Sequence, residues 1–360
     1  MNPSVYRIGI FSALTFASVN LSDAVAAKFR IELGPPVEVP DTRPPSPVYR
    51  WLPDGHIPAF QSGRKWQMYW AGSSSYRSVG FPQMSLSPMR SVLARGAQPD
   101  DFDNGGAWLY SVLPITGSRY LGIYHAEDHE WKSGRSREGV AWKSIALCTS
   151  GDGGMTWQKR GQILTSAHRK PSEPAWGGCG DHCVVFDRLH SRWVCFFQEY
   201  YLCMAVSEDP DASPGTWRKL YRGKFSEPGL GGRATPIKPL SRFAGGNPSV
   251  HFNTSLNLWF MVWHTWSGSL VYSTSTDLIR WEAPATLLKC RPGEKVWYPT
   301  IVGSSDREAG REAVLYYAFW PDRLVNQRHF LGRVIRFVRT KEAPHTRPEK
   351  SVFPPDSRSP

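Results

Sequence analysis

Beyond its first 27 residues, the 360-residue chain lacks any apolar run long enough to span a bilayer. It also lacks a stretch with the apolar periodicity of an amphipathic helix, so neither a membrane span nor a helical fold is expected. Charged residues make up only 21% of the chain against 41% hydrophobic residues, a balance that excludes collagen, coiled coils and wholesale disorder. The six cysteines lack the second ligand pair that zinc spacing requires, so no metal site is predicted.

Aromatic residues are abundant at 13%, with 16 Trp among them, and the 32 Gly and 30 Pro are spread between short aromatic runs. This alternation favours many short strands joined by turns. The formal net charge of +12 favours anionic partners without deciding the fold. Nucleic acid is not expected, because no motif supports it.

The first 27 residues have the pattern of a secretory signal peptide. Arg7 is a lone positive charge, an apolar run covers 8–19, and small residues at 24–27 offer a cleavage site. The alternative for this segment is an N-terminal strand. A cleaved signal predicts a secreted or periplasmic protein, in which the cysteines are either disulfide-bonded or buried thiols, with the pairing left open.

The remaining chain divides into three parts by composition. Residues 28–50 form a Pro-rich extended segment, 51–340 are expected to form a single domain, and the polar, Pro-rich tail 341–360 is expected to be disordered. A monomer is expected.

Five strong strand cores recur in the domain at a spacing of roughly 55 to 75 residues. Most are preceded by a turn and a shorter strand and followed by another strand. Four short strands at a fixed period are typical of a propeller blade, so the sequence predicts an all-β, five-bladed β-propeller, with six blades not excluded. The five cores are WQMYW at 66–70, RYLGIYH at 119–125, RWVCFF at 192–197, LWFMVWH at 258–264 and VLYYAF at 314–319.

Three turns after predicted strands share a pattern of Ser, Asp and Trp. Residues 150–157 read SGDGGMTW, 275–281 read STDLIRW, and Ser207 and Asp209 precede Trp217 as an expanded copy. In such a turn the Asp accepts backbone N–H groups, Gly takes a positive φ, and Trp fills the gap between strands.

The first of these turns resembles the Asp-box of sialidase-like propellers. The second resembles the blade-closing turn of five-bladed glycoside hydrolases such as family 43. The resemblance extends over about 290 residues at the level of the blade period, and it implies a propeller fold with substrate bound at one mouth of the central channel. The turns themselves lie on the rim and indicate a fold, not a reaction.

Candidate site residues are polar groups at the ends of the inner two strands of each blade, which face the channel. At inner strands these are Asp54, Asp103, Asp181, His182, Asn247 and Tyr298. At the ends of second strands, or of the strand after them, these are Arg77, His125, Glu127, Glu199 and His264.

Glycoside cleavage needs two carboxyl groups across the scissile bond, one of them protonated. By resemblance to family 43, Asp54 would be the base, Asp181 a modulator of pKa, and Glu127 or Glu199 the acid. Asn247 occupies the blade-4 position where the family places its acid, which departs from the family pattern. The remaining candidates would contact a carbohydrate substrate, including an acidic glycan. No organic cofactor is implied, although a cation in the channel is left open.

Two alternatives stay open at this stage. A sialidase-like hydrolase of acidic sugars would need three Arg and a Tyr/Glu pair. A non-catalytic propeller would bind a glycan or protein through aromatic residues. In that case Asp54, Asp103 and Asp181 would be turn or loop residues.

Overall fold

The computed structural model describes residues 17–18, 29–39, 53–72, 74–80, 89–134, 140–322 and 328–340. These residues form β-strands, with a single 3-10 helix at Leu240–Arg242 and no α-helix. No helix in this part of the chain is long and apolar enough to cross a membrane. The predicted signal peptide lies outside the described residues, except for a two-residue strand at Ala17–Ser18, and the predicted disordered tail lies wholly outside them.

Five sheets form the five blades of a propeller, which confirms the predicted fold. Blades 1 to 4 are each built from consecutive antiparallel strands, counted from the channel outwards. Blade 1 has Ala59–Ser62, Lys65–Ala71, Ser75–Gly80 and Met89–Leu93; blade 2 has Gly106–Thr116, Arg119–Asp128, Trp142–Ser150 and Gln158–Leu164; blade 3 has Gly180–Asp187, Arg192–Glu199, Tyr201–Ser207, Arg218–Tyr221 and Lys224–Pro228; blade 4 has Gly245–Asn253, Leu258–Thr265, Leu270–Ser275 and Ala285–Leu288.

Blade 5 is closed by the two ends of the chain. Its first three strands are Lys295–Val302, Glu312–Trp320 and His329–Arg339, and the fourth is Phe29–Leu33. The propeller thus includes residues that precede position 51. The same blade lacks an Asp-bearing turn because its third and fourth strands are not joined by a hairpin.

Two-residue strands complete the sheets at their edges. They are Gly177–Gly178 on blade 2, Glu308–Ala309 on blade 4, and both Ala17–Ser18 and Val37–Glu38 on blade 5.

The five predicted strand cores all form second strands of blades. These strands read as nearly continuous hydrophobic runs because both of their faces pack against neighbouring blades. One buried apolar cluster lies at each of the five interfaces between adjacent blades, including the interface between blades 5 and 1. Five interfaces for five blades close the ring, which excludes a sixth blade.

The three Ser/Asp/Trp turns lie between third and fourth strands on the rim. In the first, Asp152 Oδ1 accepts the N–H groups of Met155 and Thr156 at 2.9 and 3.0 Å, while Gly153 and Gly154 have positive φ. In the last, Asp277 Oδ1 accepts the N–H of Arg280 at 2.8 Å. These bonds fix the turn backbone in the way that the residue pattern predicts.

Four of the six cysteines belong to blade 3 or the segment entering it, and all four are buried free thiols: Cys179, Cys183, Cys195 and Cys203. Burial raises the pKa of Cys179 and Cys183 to about 12. The thiol reading therefore fits this structure better than the disulfide reading.

Candidate active site

A cavity of about 740 Å³ opens at one mouth of the channel. Residues of blades 2 to 5 and of the loops between them form its walls, and its lining is rich in aromatic rings and in charged side chains. The aromatic residues are Trp142, Trp176, Tyr200, Trp266, Trp297 and Tyr298, and the charged ones are Glu127, Lys143, Asp181 and Glu199.

Inner strands of three blades present a side chain to this cavity by the same local device. Asp181, Asn247 and Tyr298 lie in β-bulges near the start of their strands, at φ of 48°, 51° and 56°. A bulge with a residue in the left-handed region re-aims the side chain away from the sheet faces. All three residues line the cavity, as their predicted positions at inner-strand starts require.

Asp54 takes the equivalent place in blade 1, just before the first strand of that blade. Three residues later, the N–H of Ile57 donates to the hydroxyl of Thr300 at 3.0 Å, which joins this segment to the inner strand of blade 5. Its carboxylate lies 3.2 Å from Nη1 of Arg328 and accepts a hydrogen bond from Tyr298. Burial raises the pKa of Asp54, and the charge of Glu127 adds to this rise against the opposing effect of Arg328.

Asp181 is held in the opposite electrostatic state. Its Oδ2 lies 3.1 Å from Nζ of Lys143, which also donates to Gln198 Oε1 at 2.5 Å. Burial alone would raise the pKa of Asp181, but the positive charge of Lys143 and its hydrogen bond outweigh burial and lower the pKa to about 2.

Glu127 is fixed between two histidines. The backbone N–H of Asp181 donates to Nδ1 of His125 at 2.9 Å, so the ring proton lies on Nε2 and is donated to Glu127 Oε1 at 3.1 Å. His129 Nε2 lies 2.8 Å from the other carboxylate oxygen. Burial would raise the pKa of Glu127, but these two hydrogen bonds outweigh burial and lower it to about 2. Glu127 therefore does not fit the predicted role of a protonated acid.

The side chain of Tyr110 lies close to the carboxyl groups of Asp54, Asp181 and Glu127. Its hydroxyl donates to the backbone carbonyl of Asp54 at 2.6 Å, and its ring stacks on His125 at 5.1 Å. Burial raises the pKa of Tyr110, and the nearby charges of Asp181, Asp54 and Glu127 add to the rise. The carboxyl groups thus belong to one buried cluster on the channel.

The wall formed by blades 4 and 5 offers neutral hydrogen-bonding groups. His264 Nδ1 accepts the N–H of Tyr298 at 3.5 Å, which leaves the proton on Nε2, and the ring stacks on Trp297 at 4.7 Å. Burial lowers the pKa of His264 to about 3. His264 Nε2 and Asn247 Oδ1 are buried and have no hydrogen-bond partner within the described chain.

Five predicted site residues are absent from the cavity lining. Asp54 and His125 each bond to a residue that lines it, and the other three lie further away. Asp103 is buried, pairs with Lys159 of the outermost strand of blade 2 at 2.5 Å and accepts from the Tyr124 hydroxyl, so its role is structural. Arg77 donates to Gln67 within blade 1 at 3.3 Å. His182 is buried behind the cavity, against the carbonyl of Ile123 at 3.2 Å.

Glu199 does line the cavity, where it accepts a hydrogen bond from Ser166 and lies 3.9 Å from Lys219.

Sequence reasoning missed Lys143, Arg328 and Tyr110. None of the three belongs to a recognisable motif, and the partner of each lies 38 or more residues away along the chain. The sequence shows that aromatic residues are abundant, but apart from Tyr298 it did not predict which of them line the cavity.

The described residues contain no cluster of three or more His, Cys, Asp or Glu side chains arranged to hold a metal ion.

No protein-family model and no curated protein matches this sequence. Solved structures do resemble it. A family 117 glycoside hydrolase from the marine bacterium Zobellia galactanivorans superimposes with a TM-score of 0.53 at 8% identity, over 88% of this chain and 92% of that one. A candidate exo-β-1,3-galactanase from Bifidobacterium bifidum has a TM-score of 0.51 at 12% identity, over 78% and 87%. The chain thus shares the five-bladed β-propeller fold found among glycoside hydrolases, as its resemblance to that group implies.

Proposed function

We propose that the chain is a glycoside hydrolase that cleaves an oligo- or polysaccharide at this cavity. One observation carries the proposal. Asp181 lines the aromatic cavity, and Asp54 stands beside it at the equivalent position of blade 1, where it accepts a hydrogen bond from the lining residue Tyr298. Their surroundings move the pKa values of the two carboxyl groups in opposite directions. This separation lets one carboxyl group exchange a proton near the working pH while its neighbour stays charged, which are two of the roles that cleavage of a glycosidic bond needs.

Asp54 fits the general base. A raised pKa brings a carboxylate closer to the working pH and strengthens it as a base, and Arg328 and Tyr298 fix its orientation. Asp181 stays ionised across the working range. Its negative charge would stabilise the positive charge that develops on the sugar ring in the transition state.

The acid is assigned to Glu199. Glu127 is held ionised by its two histidines, and Asn247 has no acidic proton to give. Glu199 lines the same cavity and accepts a hydrogen bond from Ser166. It is the second of the two glutamates that the sequence offers as the acid.

The cavity favours a neutral sugar. Lys143, the lysine in its lining, already pairs with Asp181, and Arg328 pairs with Asp54 beside the cavity. Asn247 Oδ1 and His264 Nε2 supply one acceptor and one donor for sugar hydroxyl groups beside the Trp297 ring. A sialidase-like reaction, which needs three free arginines, gains no support from this arrangement.

A non-catalytic glycan-binding propeller is the second candidate. It is favoured by Asn247, which stands where the family pattern has its acid.

The test is a screen of the protein against neutral and acidic glycans, scored by released reducing ends. Wild type, Asp54→Asn and a surface control, Asp211→Asn, would be compared. Release that is lost only in Asp54→Asn supports hydrolysis. Glycan binding without release in any variant would favour the second candidate.

Export belongs to the same proposal and rests on residues 1–27. N-terminal sequencing of the expressed protein is expected to find a start close to residue 28. An intact Met1 in protein recovered outside the cytoplasm would contradict a cleaved signal.

A further inference from the structure

The mouth of the cavity carries an unusual share of the exposed apolar surface. Eight large hydrophobic side chains are exposed in the described part of the chain, and three of them line this cavity. They are Trp176, Tyr200 and Trp266, exposed to 62%, 64% and 37%. Apolar surface that is exposed as a group at the edge of a pocket is typical of a ligand-binding groove.

Tyr200 is placed there at a conformational cost. It forms the tight turn between the second and third strands of blade 3, where Glu199 pairs with Tyr201, and its φ is 68°. A bulky residue is strained in this left-handed conformation, which Gly or Asn would adopt more readily. The ring makes an edge contact with Tyr201 at 4.8 Å and is otherwise turned towards solvent. Folding of the turn therefore does not explain the side chain.

Trp266 is connected to this turn. Its indole N–H donates to the carbonyl of Tyr200 at 3.4 Å, and its ring meets those of His264 and Trp297 edge-on at 5.3 and 6.0 Å. The exposed ring thus continues the aromatic wall of the cavity out to its mouth, from blade 4 towards blade 3.

Trp176 is held on the other side of the mouth by a rigid segment. It precedes Gly177–Gly178, which pairs in parallel with Trp142 and Lys143 of blade 2. A Cβ on Gly178 would lie 2.0 Å from the carbonyl oxygen of Lys143, so the backbone passes as close as glycine allows. The backbone next to Trp176 is fixed by this close packing, and Nζ of Lys143 lies 6.0 Å from the centre of the indole ring.

We infer that Trp176, Tyr200 and Trp266 form a second carbohydrate subsite, which binds further units of a sugar chain whose reacting end lies in the cavity. Sugar rings have apolar C–H faces edged by hydroxyl groups, and aromatic rings with polar tips suit both. These three residues form the rim of the cavity mouth, which is distinct from the outer rim of the propeller. The mouth rim is continuous with the proposed catalytic cavity, so a sugar chain leaving that cavity passes over it. This inference rests on the proposed function for the position of the reacting end. It adds that the substrate is longer than a disaccharide.

Binding tests the subsite without hydrolysis. Affinity gel electrophoresis in arabinan, β-1,3-galactan and polygalacturonate would compare the Asp54→Asn protein with the same protein carrying Trp176→Ala, Tyr200→Ala or Trp266→Ala. The matched control is Phe186→Ala, a ring exposed to 38% outside the cavity lining. The dissociation constant for the retarding polysaccharide is expected to rise about tenfold for each rim variant and by less than about twofold for the control.

Tyr200→Gly separates binding from folding. Because glycine relieves the positive φ, this variant is expected to keep or raise the Tm while losing the same affinity as Tyr200→Ala. A lowered Tm with wild-type affinity would overturn the role given to this side chain.

The outcomes distinguish the two proposals. Rim-dependent retardation without any hydrolysis by the wild type would support the subsite and overturn the proposed reaction. Hydrolysis with kcat/KM independent of chain length and of the rim variants would overturn the subsite alone. Equal retardation of rim and control variants, or retardation by none of the three polysaccharides, would also overturn it.

Discussion

At the scale of single residues, the same side chain acquires different chemistry from its neighbours. Asp54 and Asp181 stand at equivalent positions of blades 1 and 3. Burial dominates for Asp54 and raises its pKa, whereas the charge of Lys143 overcomes burial for Asp181 and lowers its pKa to about 2. In the proposed reaction, this difference between two otherwise similar carboxyl groups would let Asp54 move a proton while Asp181 stays charged.

Lys143→Met tests the charge that holds Asp181 ionised. Methionine keeps the apolar stem but removes the cation 3.1 Å from Oδ2, so the pKa of Asp181 is expected to rise. The acid limb of the pH–rate profile should move to higher pH, and kcat/KM at pH 5 should fall about tenfold relative to its value at pH 7.

Stability provides a second readout for the same variant. The depressed pKa of Asp181 stabilises the fold above about pH 4, and this contribution is lost as the pH falls towards 2. Lys143→Met should lower the free energy of unfolding by about 3 kcal/mol at pH 7. Lys170→Met removes another ion pair, to Asp128 at 2.7 Å, and serves as control. Equal shifts of the pH profiles of Lys143→Met and Lys170→Met would contradict the proposal that Lys143 holds Asp181 ionised.

His251 is a polar residue whose burial should cost stability. It packs between Phe260 and Phe337 at 5.4 and 5.9 Å, and neither ring nitrogen has a hydrogen-bond partner within the described chain. His251→Leu is expected to raise the free energy of unfolding by about 1–3 kcal/mol at pH 7. His329→Leu, at a partly exposed pair with Glu38, should have little effect. If the Tm of His251→Leu is at or below that of the wild type, the imidazole of His251 makes a stabilising interaction and the prediction is wrong.

The sequence identified which residue types could react but not where each would point. Asp54 and Asp103 both stand in Gly-containing turns before inner strands and look alike in sequence. Only strand register and long-range pairing place Asp54 beside Arg328 on the channel and Asp103 beside Lys159 away from it. Asp181, Asn247 and Tyr298 were predictable because a turn signal marks each inner-strand start.

At the scale of elements, the closing strand of blade 5 is the one on which the ring depends. Phe29, Ile31 and Leu33 alternate inward and are buried in the cluster shared with blade 4. Without this strand, His329–Arg339 would be an exposed edge.

Ile31→Ala is expected to lower the free energy of unfolding by about 2–4 kcal/mol, because it removes a fully buried branched side chain from that cluster. Arg30→Ala, on the opposite face of the same strand, should change it by less than about 0.5 kcal/mol, since its pair with Glu32 is solvent-exposed. Urea unfolding measures both. Equal effects would mean that Phe29–Leu33 does not close the blade in solution.

Local patterns predicted the second strands well and the closing strand not at all. A strand buried on both faces shows itself as a hydrophobic run, whatever it pairs with. The pairing of Phe29–Leu33 with residues near 335 spans the whole chain, and no local signal encodes it. The rim turns were predictable because their hydrogen bonds join residues within a few positions of one another.

At the scale of the whole molecule, buried neutral histidines should make the propeller sensitive to acid. Burial lowers the pKa of His182, His251 and His264 to about 3 each. Below pH 6.5 the unfolded chain binds protons that the folded chain does not, so stability falls as the pH falls from 6.5 towards 3. These three groups alone contribute a slope of about 4 kcal/mol per pH unit near pH 5, and His56, whose pKa burial also lowers, acts in the same direction.

Urea unfolding at pH 7.5, 6 and 5 measures this slope. His251→Leu should reduce it by about 1.4 kcal/mol per pH unit, the share of one histidine. Stability that stays constant between pH 7.5 and 5 would show that these histidines titrate normally, and hence that they are not buried as described.

The most direct test of the central claim is rescue of the Asp54 carboxylate. Asp54→Ala should lower kcat/KM on the best glycan of the screen by at least about a thousandfold while leaving the Tm within a few degrees. Added azide, an anion small enough for the space left by the side chain, should restore part of the rate. It should not restore an Asp181→Ala control, where the lost group is assigned no proton transfer. Hydrolysis by Asp54→Ala at the wild-type rate would contradict the account.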